Sequence, residues 1–359
     1  MASNKNFSSS LAFQDGQIAV FSVAGKDRSF SLLPALLSLF VWGRLHLQNE
    51  PVMKQSNILV IRGGAIGDFI LTLPVVAALR AQFPSARLEV LGYPHIAGLA
   101  QAGGLAEAVA SIEAGPLAGF FARDGILSPA LQDFFAGFAL IVSFLYDPDE
   151  VFQANVARCS KALFITGPHR PDETAGLHAT TVFLKPLERL AIYDADPVPR
   201  LILAPRILSS LPLLALHPGS GSERKNWPET NWFAFLHALA AGTAWNFLLV
   251  GGEAEGARLE RLAAAVPRQR LQLAFCFPLP VLAEKLAASH AFVGHDSGIS
   301  HLAAALGLTT LVLWGDTVEA VWRPLGEHVS ILHPPGGLAS LAVETVLHET
   351  RRLLAASPA

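Results

Sequence analysis

Twice in this chain a short apolar run breaks into small and polar residues and then into a helical pattern. That recurrence constrains the fold more than any other feature. Asn57-Ile58-Leu59-Val60-Ile61 carries no polar residue after its first position. Strands of this kind are buried on both faces, as in parallel sheets covered by helices. A turn follows, Arg62-Gly63-Gly64-Ala65-Ile66-Gly67-Asp68, then a helical pattern to Gln82 and a second strand at Arg87–Tyr93. Strand, turn, helix and strand make a βαβ unit. Pro74 falls inside the helical pattern and predicts a kink or an irregular first turn. Phe138–Tyr146 and Ala162–Thr166 read as further strands of the same half.

Between Asp194 and Pro212 the composition changes. Two aspartates and four prolines punctuate this passage, as expected of an interdomain connection. Leu213–Leu216, Phe247–Val250, Ala291–Gly294 and Thr309–Trp314 then read as strands of a second half, and Leu338–Ala355 as a terminal helix. The fold class is α/β, with two Rossmann-like domains, residues 53–200 and 201–359, facing across a cleft. A chain of 359 residues is long enough for both, and 52% hydrophobic against 15% charged residues suits large buried cores.

Residues 1–52 lack the βαβ pattern and are read as an extension outside the fold. Their apolar stretch, Phe30–Trp42, contains Pro34 and is followed by Arg44 and His46. It is shorter than the roughly 18 apolar residues of a transmembrane helix. An amphipathic anchor, a signal-like segment and a leader all stay open for it. A net charge of −3 argues against a nucleic-acid-binding face. Cys159 and Cys276 stand far apart with no metal-ligand spacing and no disulfide framework, which fits a reducing compartment.

Four stretches could carry chemistry. In Gly63–Asp68 the glycines permit a tight turn and the bare amides at a helix start attract anions. A dinucleotide site is one reading, since Glu89 follows on the next strand. However, the spacing is G-G-x-x-G rather than G-x-G-x-x-G. A plain strand–helix connection with Asp68 as a helix cap weighs about equally. His217-Pro218-Gly219-Ser220-Gly221-Ser222 with Lys225-Asn226-Trp227-Pro228 offers a phosphate close backbone approach, hydroxyls and a cation. It is not a Walker loop, and any such loop taken alone could simply be solvated.

In the third stretch, Asp296 or Ser297 caps a helix that Gly307 closes, and Gly298 opens a second anion site. His301 lies one turn beyond Ser297 on the same face. It is a satisfied core histidine or a site residue with about equal weight. His295 and His301 have no third metal ligand at a recognisable spacing, so no metal site is expected. In the fourth, Gly251-Gly252-Glu253-Ala254-Glu255, an acid at a strand end could meet ribose hydroxyls, though a solvated helix start is the commoner meaning. No stretch matches the G-x-S-x-G nucleophile elbow.

Taken together these stretches resemble glycosyltransferase family nine, the ADP-heptose:lipopolysaccharide heptosyltransferases. The resemblance runs through Ile61-Arg62, Ile66-Gly67-Asp68 and Thr72-Leu73-Pro74 in the amino half. In the carboxyl half it runs through His217-Pro218-Gly219, Lys225-Asn226-Trp227-Pro228, Asp296-Ser297-Gly298, His301–Gly307 and Trp314-Gly315-Asp316-Thr317. It implies a type B glycosyltransferase fold, with the acceptor held by the amino domain and the nucleotide sugar by the carboxyl domain. It also implies inversion at the anomeric carbon without a metal or other cofactor.

Residue by residue, the resemblance makes Asp68 the catalytic base, with Arg62 and Gly67 on the acceptor side. Lys225 holds the donor diphosphate. Asp296, Ser297, Gly298 and His301 line the diphosphate and sugar, with His217, Gly219, Ser220 and Ser222 in the donor loop and Glu255 at the ribose. Two departures are Thr309, where the family usually has proline, and Asp316, where it is usually uncharged. A second aspartate near a diphosphate would be unfavourable unless paired.

The expected activity is heptose transfer from ADP-heptose to a lipid-linked or core saccharide of lipopolysaccharide, or to another glycan. The expected location is cytoplasmic, with peripheral association at the inner face of the membrane left open. A nicotinamide-dependent oxidoreductase using Gly63–Gly67 and Glu89 is the rival enzyme class. A non-catalytic binder of sugar nucleotides is the third reading, and the joint presence of Asp68, Lys225 and His301 argues against it.

Overall fold

The computed structural model describes residues 11–14, 17–20, 56–203 and 208–356. Strands β1 (Leu11–Gln14) and β2 (Gln17–Val20) form an antiparallel pair separate from both larger sheets. Phe30–Trp42 lies outside the described residues. Among the described residues no helix is long and apolar enough to cross a membrane.

The amino half is a parallel sheet of β3 (Asn57–Arg62), β4 (Arg87–Gly92), β5 (Ala108–Ser111), β6 (Phe138–Ser143) and β7 (Leu163–Thr166). Its spatial order is β5-β4-β3-β6-β7. The carboxyl half is a parallel sheet of β8 (Leu213–His217), β9 (Asn246–Gly251), β10 (Leu271–Phe275), β11 (Ala291–His295), β12 (Thr309–Leu313) and β13 (Val329–Leu332). Its order is β10-β9-β8-β11-β12-β13. Each chain path runs outward from its first strand, then returns and runs the other way. The order therefore reverses between β3 and β6 and between β8 and β11, where α/β sheets open a crevice at their carboxyl edges.

The two apolar runs that lead into the small-residue turns are the central strands β3 and β8. Both are shielded by helices on each face, and Leu59, Ile61, Leu214 and Leu216 are wholly buried. The helices of the amino half are α1 (Ile66–Gln82), α2 (Pro94–Ala102), α3 (Pro129–Ala136), α4 (Val151–Ala157) and α5 (Ala179–Leu184). Those of the carboxyl half are α6 (Glu229–Gly242), α7 (Gly256–Ala263), α8 (Leu279–Ala287), α9 (Gly298–Ala305), α10 (Glu319–Trp322) and α11 (Val343–Ala356).

One hydrophobic cluster joins the two halves. Phe69, Leu73 and Val76 of α1 and Leu99 of α2 share it with Leu282 and Leu286 of α8 and Leu302 of α9. The linker is stitched to the same region, since the Leu201 amide donates to the Ala305 carbonyl at 2.8 Å.

Three expectations change in detail. Helix α1 continues unbroken through Pro74, which only leaves the Ile70 carbonyl without a helical donor. The Phe138–Tyr146 strand ends at Ser143, where its ladder with β3 and β7 stops, and Phe144-Leu145-Tyr146 runs on as loop over the crevice. The terminal helix starts at Val343 rather than Leu338, where there is only a short 3-10 turn.

Candidate functional site

Two cavities occupy the crevice between the sheets. The first, of about 630 Å³, lies between the ends of β3 and β6 on one side and the β8 and β11 loops on the other. Arg62, Gly63, Gly64, Asp68, Lys225, Asp296 and His301 line it. The second, of about 550 Å³, is more apolar and is walled by Val250, Phe277, Leu279, Leu282 and Ile299, with His217 and Glu255 at its edge. Ala65, Gly67, Ser220, Ser297 and Gly298 belong to both, so the cavities meet where α1 and α9 begin.

The amino wall follows from the glycine turn. Gly64 has φ of +99°, a left-handed conformation, and a Cβ there would lie 2.9 Å from Oδ2 of Asp68. Ala65 caps α1 and Asp68 is its third residue. The Asp68 Oδ2 accepts from the Ala65 amide at 3.0 Å, so it performs the capping that the sequence suggested, from inside the helix rather than at its N-cap. The same carboxylate faces the first cavity, and Oδ1 lies 3.7 Å from Nη2 of Arg62. Arg62 is almost fully buried, donates through Nη1 to the His169 carbonyl at 2.9 Å and lies over the Phe183 ring. Burial pulls its pKa down to about 10, against the opposing pull of Asp68, and its Nε has no partner.

On the carboxyl wall, Ser297 caps α9, its hydroxyl accepting from the Ser300 amide at 3.4 Å. That resolves the choice between Asp296 and Ser297. Asp296 holds another partner: its Oδ2 lies 2.8 Å from Nζ of Lys225 and also accepts from the Thr317 hydroxyl. The Lys225 charge expected for a diphosphate is thus already paired in this structure. His301 and His217 are buried and burial lowers each pKa to about 4, so both are neutral near pH 7. The His217 Nδ1 lies 3.3 Å from the Ser297 hydroxyl. Glu255, also buried, accepts from the Gly252 amide at 3.0 Å.

Four residues singled out in the sequence lie outside both cavities. Gly219 lines neither cavity. It is glycine because a Cβ there would stand 2.3 Å from Oε1 of Glu255. Ser222 also lines neither, and its carbonyl accepts from the Ser220 hydroxyl at 2.8 Å. Asp316 is exposed and lines neither cavity. Glu89 is the third residue of β4 and pairs with Arg87 at 2.7 Å. A carboxylate that binds ribose must stand at the carboxyl edge, so the dinucleotide reading loses its acid.

Other lining residues went unnoticed in the sequence. Tyr146 and His169 form an edge-to-face pair at 4.6 Å on the rim of the first cavity. Arg170 lies over the Trp322 ring, and Trp322 donates to Glu173 at 2.9 Å, which ties the two halves together at that end. The position of Tyr146, just past a strand that borders the β3/β6 crevice, was a usable signal. Trp322 carried none, since its partners are distant in sequence.

Comparison with known proteins agrees with this geometry. The family model for glycosyltransferase family 9 (heptosyltransferase) matches residues 191–339. A curated relative, lipopolysaccharide heptosyltransferase 1 of Pseudomonas aeruginosa, is 34% identical over 136 residues, which is 36% of this chain and 33% of the relative. The match therefore spans about a third of that relative's length. A glycosyl transferase family 9 structure from Veillonella parvula superposes with a TM-score of 0.68 at 15% identity, covering 84% of this chain and 98% of the other. E. coli ADP-heptose lipopolysaccharide heptosyltransferase II gives 0.67 at 18% identity, with 83% and 98% covered. E. coli heptosyltransferase WaaC, solved with ADP, gives 0.65 at 18%, with 83% and 99% covered. At such identities the superpositions speak for the fold, two Rossmann-like domains in the type B glycosyltransferase arrangement.

Proposed function

We propose that this chain, which matches the family 9 model over residues 191–339, transfers a sugar from a nucleotide diphosphate donor to a glycan. The donor is ADP-heptose and the acceptor a lipopolysaccharide-core or other lipid-linked saccharide, met in the cytoplasm or at the inner face of the membrane. The amino domain, residues 53–200, takes the acceptor, and residues 201–359 take the donor.

The observation that carries this reading is the junction of the two cavities. A nucleotide sugar is apolar and flat at its base, doubly anionic in the middle and polar at its sugar. The second cavity offers apolar walls for a base, with the Glu255 carboxylate at hand for ribose hydroxyls. The junction offers the opening turns of α1 and α9 and the hydroxyls of Ser220 and Ser297 to a diphosphate. The first cavity then receives the sugar, opposite Asp68.

Asp68 takes the proton of the acceptor hydroxyl as that oxygen attacks the anomeric carbon from the face opposite the leaving diphosphate, which gives inversion. Lys225 and the α9 amides stabilise the departing charge. Lys225 must then share its ammonium between Asp296 and phosphate, and three donor hydrogens allow that. No metal enters this scheme.

Calorimetric titration with ADP and with NADH, followed by product analysis after incubation with ADP-heptose and a lipopolysaccharide-core acceptor, tests the proposal. It expects ADP to bind, NADH to be ignored and ADP to be released in step with glycan extension. Tight NADH binding would favour the oxidoreductase reading. ADP binding without turnover on any core acceptor would favour a non-catalytic binder.

A further inference from the structure

His295, the last residue of β11, lines neither cavity. It is wholly buried beneath the β8–α6 loop. Its Nε2 lies 2.8 Å from the backbone amide of Trp227 and 3.2 Å from the indole nitrogen of Trp232. Both of these groups can only donate, so Nε2 must accept and carry no hydrogen. The ring hydrogen of a neutral imidazole then sits on Nδ1. Nδ1 faces the Gly219 carbonyl at 3.3 Å, which can only accept.

The polarity of three partners thus fixes one tautomer. A second proton would put an N–H against two other N–H groups. In agreement, burial holds the His295 pKa down at about 3, against the opposing pull of the Gly219 carbonyl.

The two backbone partners are the two ends of one loop. Between Gly219 and Trp227 lie Ser220 and Lys225, which face the first cavity. The neighbouring residue, Asp296, holds the tip of that same lysine at 2.8 Å. His295 therefore grips the backbone of the loop while Asp296 grips its functional end. The loop also fixes itself from within, since the Lys225 amide donates to the Ser222 carbonyl at 3.0 Å. A displacement at either end of so short a segment would move the lysine.

We propose that His295 is a positioning residue for this loop, an imidazole carrying its hydrogen on Nδ1 that ties Gly219 to Trp227 and so sets where Lys225 stands. The inference rests on the proposed function only in taking Lys225 as a donor contact.

The test uses the full chain and ADP as probe. Long-range proton–nitrogen spectra of the ligand-free wild type should show His295 as the Nδ1–H tautomer, unchanged between pH 8 and pH 5. The Trp227 amide should exchange slowly with solvent, and at least tenfold faster in His295→Asn, whose amide reaches Gly219 but not Trp227. His295→Gln can still accept from Trp227 but offers Gly219 no placed donor. Each variant should weaken ADP binding several-fold. Combined with Lys225→Ala, neither should weaken it further, because the lysine it positions is gone.

An Nε2–H tautomer, unaltered exchange at Trp227, wild-type affinity in both variants, or losses that simply add to that of Lys225→Ala would overturn the proposal. If the wild type fails to bind ADP, the donor reading falls. The tautomer and the Trp227 exchange rate then decide the clamp independently.

Discussion

A Cβ placed on Gly298 would stand 2.6 Å from the Ile66 Cβ and 2.9 Å from the Gly67 amide nitrogen. The first turns of α1 and α9 therefore approach closely at the place where the two cavities join. Gly298→Ala should force the helices apart. The Ile66 Cβ and the Gly67 amide cannot rotate away, so the cost should be that of overpacking, about 1–3 kcal/mol. Urea unfolding measures it. The same variant should bind ADP more weakly. Wild-type stability would mean that the halves do not pack this closely in solution.

The Lys225–Asp296 pair makes a second substitution informative. Lys225→Ala should weaken ADP binding by about 1.5–3 kcal/mol, the worth of a charge-assisted contact. It should also cost stability, because Asp296, only 7% exposed, would keep Thr317 but lose its cation. Titration calorimetry and thermal unfolding separate the two effects. Unchanged ADP affinity in a destabilised variant would leave the lysine a purely structural role. Asp316→Ala is the matching control: exposed and outside both cavities, it should change neither quantity by more than about 0.5 kcal/mol.

Three buried histidines give the fold a defined acid limit. His217 and His301 are held near 4 and His295 near 3, all below the usual value of 6.5. Unfolding releases each to its ordinary pKa, so between pH 6.5 and about 4 the unfolded chain binds more protons than the folded one. Stability is then complete above pH 6.5 and falls as pH drops through this window. At about 1.4 kcal/mol per pH unit for each group, the slope approaches roughly 4 kcal/mol per unit near pH 5. Urea midpoints at a series of pH values check this, and a flat profile from pH 7 to pH 5 would contradict the burial of all three.

The parts of the fold legible in the sequence were those set by local pattern. The central strands β3 and β8 read clearly because burial on both faces leaves no polar position, and the turns after them read clearly because Gly64 needs its positive φ. Edge strands β5, β10 and β13 escaped notice. In β10, for instance, Gln272, Leu273 and Phe275 are exposed, so neither alternation nor continuity marks the segment. The site was half legible for a similar reason. Asp68, Lys225 and His301 sit in marked turns or one helical turn from them. Which cation meets which anion depends on which strands lie side by side: Lys225 follows β8 and Asp296 follows β11, neighbours in one sheet that no local pattern connects. Gly219 and Ser222 show why such loops read poorly: a small residue looks the same whether it serves a ligand or a neighbour, here the Glu255 side chain against Gly219 and the Ser220 hydroxyl on the Ser222 carbonyl.

Asp68 has two tasks in one carboxylate, and they can be pulled apart. Oδ2 accepts from the Ala65 amide, which stabilises the start of α1, while the group as a whole faces the cavity where an acceptor hydroxyl would arrive. An alcohol is a poor nucleophile until its proton begins to leave, and a carboxylate within hydrogen-bond reach can take that proton as the new bond forms. Asp68→Asn keeps an oxygen for the Ala65 amide and removes the basicity. Some stability should still be lost, because Arg62 would keep its buried charge without the carboxylate 3.7 Å away. The pair is only partly buried, so that loss should stay near 1 kcal/mol. The rate should fall about 10²–10⁴-fold in kcat, the usual contribution of a general base. ADP affinity should hardly move, since Asp68 belongs to the opposite wall. Ordinary turnover in a well-folded Asp68→Asn protein would leave Asp68 a helix cap and nothing more. A variant that binds ADP like the wild type and fails to transfer would separate the chemistry from the fold.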